Sequence, residues 1–129
     1  MDTRNKILVD PWPEFARPLA VVAGYFDVLR AGHVRELEQA REAVQAATLL
    51  VIVLAGGATV LPQRVRAELV AALRVVNYVA AREGADVERL AALLEPAHLV
   101  RLEEADRCRI RELRELVQAR TADKVRMQD

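Results

Sequence analysis

The chain reads GYFDVLRAGH from Gly24 to His33, just ahead of a long helical period. Two glycines, an aspartate, an arginine and a histidine gather there. Glycine lets the backbone approach a ligand closely. A helix start offers free N–H groups and the positive end of a dipole, which together favour phosphate. Imidazole can donate to a phosphate oxygen, and a guanidinium is permanently charged. Such a set suits phosphate binding and the steadying of charge during phosphoryl transfer. Each residue alone has a plainer role: a glycine at a strand end makes a turn, and a histidine at a helix start makes a cap.

These residues need elements to hold them. Leu19 to Ala23 is a short apolar run ending at Gly24, which fits a strand covered on both faces. From Gly32 a helical period follows, with Val34, Leu37, Ala40 or Arg41, and Val44 near one stripe. Thr48 to Ala55 reads as a buried strand stopped by Gly56-Gly57. Pro62 suits a first helical turn, and Val65, Leu69, Ala72 and Leu73 give that helix an apolar side. Val75 to Ala80 is a third strand. Asp86 can cap the next helix through its side chain, with Leu90, Leu93 and Leu94 buried. Ala97 to Leu102 is a fourth strand, and Glu103 opens a final helix with Ile110, Leu113, Leu116 and Val117 along one side. Its acidic first turn suits the helix dipole.

Strand and helix thus alternate four times. The expected fold class is α/β: a single Rossmann-like domain, mainly parallel, with helices on both faces. Residues 1–17 form a lead-in, pinned by Trp12 and Phe15 between prolines, and residues 18–129 form the domain.

Composition narrows the function classes. The chain has 129 residues, 53% of them hydrophobic, and Lys plus Arg (19) equals Asp plus Glu (19). Zero net charge gives no electrostatic footprint for nucleic acid or an anionic membrane. No apolar run approaches the roughly 18 residues of a membrane span, and Met1 to Asp10 lacks the apolar core of a signal peptide. Cys108 is the sole cysteine, so neither an intrachain disulfide nor a cysteine zinc site can form. A cytoplasmic protein is the expectation.

The stretch from Gly24 resembles the G-x-F-D-x-x-H-x-G-H signature of the nucleotidyltransferase family, cytidylyltransferase-like. Gly24, Phe26, Asp27, Gly32 and His33 match, and Arg30 stands at the first histidine position. The resemblance extends through VRELEQAREAV, LLVIVLAGG, VLPQRVRAELVAALRVVNYV and LAALLEPAHLV, over residues 18–102. It implies a nucleotidyltransferase-like fold and transfer of CMP or AMP from CTP or ATP to a small phosphorylated sugar or alcohol, with release of pyrophosphate. It implies Mg2+ on the nucleotide, no protein-held metal, and a homodimer. His33 and Arg30 become the catalytic pair. Gly24, Tyr25, Phe26, Asp27, Gly32, Arg66, Thr121 and Arg126 become the nucleotide-binding set, with Asp27 shaping the loop through backbone N–H groups.

The copy departs from that pattern three times. Arg30 either replaces the missing histidine as a clamp, or fills the nucleotide site or pairs with a carboxylate. Ala58 and Thr59 stand where the family carries Arg-Pro, leaving Arg64 and Arg66 to compensate. The Ser/Thr-rich helix start that grips the outer phosphates has its best match in ARTADKVR, where Thr121 and Arg126 keep the separation but Ala119 and Arg120 replace hydroxyls. That segment also reads as a frayed charged tail. Two functions therefore stand side by side: an impaired nucleotidyltransferase, and a non-catalytic descendant acting as a nucleotide sensor or a dimerisation or partner module.

Overall fold

The computed structural model describes the backbone of residues 2–56 and 59–128, and their side chains except those of 109, 110, 114 and 122–128. Four strands, β1 (Leu19–Gly24), β2 (Thr48–Leu54), β3 (Tyr78–Arg82) and β4 (His98–Arg101), alternate with α1 (Ala31–Ala43), α2 (Gln63–Ala71), α3 (Val87–Leu94) and α4 (Glu103–Gln128). The sheet order is β3-β2-β1-β4 and every pairing is parallel. This is one Rossmann-like α/β domain.

Both central strands are buried along their whole length, as continuous apolar runs demand. Their side chains alternate between two cores. Ala20, Val22, Leu49, Val51 and Val53 meet α1 and α2. Leu19, Val21, Ala23, Leu50, Ile52 and Leu54 meet α3 and the lead-in, where Phe15 is buried. Ile7 adds a parallel bridge to Val79 at the β3 edge.

Five local expectations are corrected. The third strand begins at Tyr78, because Val75 and Val76 belong to the turn after α2, from which Val76 still reaches the core. The buried face of α2 is Arg66, Ala67, Val70 and Ala71, while Val65 and Leu69 are exposed. Leu93 is 73% exposed, and α3 buries Val87 in its place. Asp86 stands before α3 but makes no side-chain cap; it bonds Arg89 at 2.7 Å. The segment read as a frayed tail continues as helix to Gln128.

Sheet order also sets where a ligand would meet the fold. The chain runs from β1 outward to β2 and β3, then crosses back so that β4 lies on the other side of β1. That reversal makes the carboxyl ends of β1 and β4 a topological switch point, the usual crevice of an open α/β sheet. The β1–α1 loop and the first turn of α4 converge there.

Candidate functional site

The site is built on the end of β1. Gly24 is followed by Tyr25 and by Phe26, which takes the left-handed conformation at φ 51°. A left-handed non-glycine residue is uncommon. It is held by burial, since the Phe26 ring is fully enclosed and packs 5.6 Å from the His33 ring. The turn brings the successive N–H groups of Tyr25 and Phe26 to one side, an arrangement that favours an anion.

An anion is present, and it comes from the chain itself. Asp106 Oδ2 accepts from Tyr25 N at 2.8 Å and from Phe26 N at 3.4 Å. His33 Nε2 lies 3.0 Å from Asp106 Oδ1. Arg30 N donates to His33 Nδ1 at 3.1 Å, so Nδ1 is the acceptor and the ring proton sits on Nε2, directed at Asp106. His33 is 4% exposed and Asp106 3%. Burial pushes the Asp106 carboxyl up, but hydrogen bonds from His33 and from the Tyr25 and Phe26 amides outweigh it and hold it below the ordinary carboxylate value. The carboxylate is therefore ionised at neutral pH.

Gly24 is required by the same contact. A Cβ there would lie 2.7 Å from Asp106 Oδ2 and 3.0 Å from the Phe26 ring. Gly32, in the first turn of α1, is different: a Cβ there would meet nothing within 4 Å.

The remaining candidate residues separate into two groups. Asp27 Oδ2 and Oδ1 accept from Val60 N at 2.7 Å and Leu61 N at 2.9 Å, fastening the loop before α2. Arg66, 2% exposed, donates to the carbonyls of Leu61 at 3.0 Å, Tyr25 at 2.7 Å and Leu54 at 2.8 Å. Burial lowers its pKa from the ordinary arginine value, with the charge of Asp27 opposing. These two residues tie the ends of β1 and β2 to α2. Tyr25 is buried, and its hydroxyl accepts from Arg107 at 2.8 Å.

Other candidates lie away from the cradle. The side chain of Arg30 is exposed at the N-cap of α1. Thr121 is exposed within α4, bonded to the carbonyl of Val117 at 3.0 Å, and is not at a helix start. The Arg126 side chain and Ala58 lie outside the described residues. The first turn of α4 also meets the cradle through Asp106, and that turn carries Glu103, Glu104 and Asp106.

Sequence reasoning missed Asp106. Its signal was the acidic opening of the last helix together with a topology that sets β4 beside β1. Among the described residues no three His, Cys, Asp or Glu side chains gather as metal ligands, and no helix is long and apolar enough to cross a membrane. A cavity of about 210 Å³ lies at the β3 edge, lined by Trp12, Arg82 and neighbours, and does not touch the cradle.

No protein-family model matches the chain. No curated protein matches it either. Among solved structures, the crystal structure of the lipopolysaccharide core biosynthesis protein from Thermoplasma volcanium GSS1 aligns over 63% of this chain and 70% of that one, with a TM-score of 0.57 and 20% identity. At that identity the likeness establishes a shared fold.

Proposed function

We propose that this chain is a non-catalytic binding module on a nucleotidyltransferase-like scaffold. One observation carries the reading: the Asp106 carboxylate takes the donors that a nucleotide phosphate would need, namely the Tyr25 and Phe26 amides and the His33 imidazole. A triphosphate entering there would have to displace a tethered, buried carboxylate from those donors. Arg66, which the family resemblance would turn toward the nucleotide, is engaged with backbone carbonyls of the fold.

Transferase chemistry lowers its barrier by presenting preorganised donors to the charge that develops on the α-phosphate. Donors already bonded to a carboxylate supply none of that stabilisation until the carboxylate leaves. The magnesium of such a reaction arrives on the nucleotide, and a set of N–H donors offers no ligand to a cation. What the fold offers a partner is surface, including the exposed apolar residues Leu113, Leu116 and Val117 of α4.

The test is a pyrophosphate-release assay with CTP or ATP, Mg2+ and a panel of phosphorylated sugars and alcohols, alongside thermal-shift titration with each nucleotide. The expected result is no release and no shift. Sustained release that disappears in His33→Ala would overturn the proposal and restore the transferase reading, with His33 and Arg30 at the α-phosphate.

A further inference from the structure

We infer that Asp106 is an intramolecular competitor for an oxyanion site. The hole it fills is built to take a phosphate-class anion, and the first turn of α4 keeps that anion out. The inference rests on the reading above that the cradle is closed by Asp106, and it adds what the closed cradle would bind once opened.

The site has one sign. Tyr25 N, Phe26 N and His33 Nε2 all converge on the carboxylate as donors. Because Nδ1 of His33 already accepts from Arg30 N, Nε2 cannot serve as an acceptor without breaking that bond. A hole lined by donors takes an anion and rejects a cation. Its floor is backbone, since Gly24 leaves the volume in which a Cβ would meet Asp106 Oδ2 at 2.7 Å. Two carboxylate oxygens span the amide pair and the imidazole, and two oxygens of a phosphate can span them in the same way. The left-handed Phe26, at φ 51°, keeps the amide pair aimed inward. A fixed backbone of this kind does not vanish when the carboxylate is removed.

Competition follows from the tether. Asp106 sits in the first turn of α4, directly after Leu102, which is buried, and next to Arg107, whose guanidinium bonds the Tyr25 hydroxyl. The carboxylate is thus delivered at high effective concentration, and a free anion must beat it. Whatever draws that turn away from β1 opens the site, because the two anions use the same donors and exclude one another.

The experiment compares the wild type with Asp106→Ala, at constant ionic strength. Inorganic phosphate, pyrophosphate and CTP are titrated in separate arms, with chloride as the control. Binding is read from the amide resonances of Tyr25 and Phe26 and the ring resonances of His33. The expected result is saturable phosphate binding to Asp106→Ala, at least tenfold tighter than to the wild type. Response in the phosphate and pyrophosphate arms identifies a free oxyanion as sufficient, and a response confined to CTP identifies a nucleotide-borne phosphate. Should Asp106→Ala fail to fold in chloride, the inference expects phosphate to restore folding where chloride at equal ionic strength does not. A folded variant silent to all three ligands overturns it, as does an unfolded one that phosphate fails to rescue. Wild-type turnover of a nucleotide would instead sink the non-catalytic reading, so the two failures are told apart.

Discussion

The two halves of α4 are held in opposite ways. Its first turn is locked to the body: Asp106 is buried on the β1–α1 loop, and Arg107 lies with its guanidinium 5.5 Å from the Tyr25 ring centre. From Arg111 to Thr121 every described side chain is exposed, including Leu116 at 54% and Val117 at 55%. One helix is thus fastened by polar contacts at one end and unpacked along the next stretch. Among the described residues of α4, the buried contact that fastens it is the Asp106 carboxylate, whereas α1 and α2 are seated by burial of Leu37, Ala40, Val70 and Ala71.

Removing the carboxylate breaks the contrast most directly. Asp106→Ala leaves two buried amides and an imidazole N–H without that acceptor, and should cost about 3 kcal/mol or more in urea unfolding, since each buried donor left unsatisfied costs about 1–3 kcal/mol. The same contact has a pH signature. The folded Asp106 carboxyl sits below its ordinary value, so the unfolded chain binds the proton more readily. Its stabilisation is complete above the unfolded value of about 3.9 and is lost as pH falls through the folded value. Asp2 is also lowered, to about 2, chiefly by hydrogen bonds from Arg4, so the wild-type acid limb contains both. Asp106→Asn should flatten the limb relative to wild type, and superimposable curves would remove Asp106 from the account.

Gly24→Ala tests the same lock from the strand side. The new methyl would collide with Asp106 Oδ2 and the Phe26 ring, neither of which is free to swing aside. Overpacking of this kind should destabilise by about 1–3 kcal/mol, measured by urea unfolding. Gly32, matched by the same sequence motif, meets no such obstacle. A Gly24→Ala chain as stable as wild type would show that the Asp106 carboxylate is not packed against β1.

Much of this was readable in the residues, and the misses have physical causes. Continuous apolar runs identify β1 and β2 because strands buried on both faces need them. The helix face on α2 was misplaced, since an arginine does not announce burial. Arg66 is buried because three carbonyls at strand ends receive its guanidinium, a tertiary arrangement that no local period encodes. In the cradle, Gly24 and His33 were legible from motif spacing, but their partner lies 73 residues beyond His33. Asp106 was visible only as part of an acidic helix start, a pattern explained equally well by the dipole. Choosing between those roles requires knowing that β4 neighbours β1.

The smallest effect is expected in the exposed half of α4, where Leu116→Gln should change stability by no more than about 0.5 kcal/mol, as for surface substitutions away from packing contacts. That stretch is rich in Leu, Arg, Glu, Gln and Ala, good helix formers, and it extends a helix already nucleated by a fixed first turn, so the unfavourable initiation step is avoided. Neither source of stability uses the Leu116 side chain. Urea unfolding at two protein concentrations makes the measurement discriminating. A loss well above 0.5 kcal/mol that grows with concentration would mean that the leucine is buried between copies of the chain, and the contrast between the halves of α4 would then describe the monomer alone.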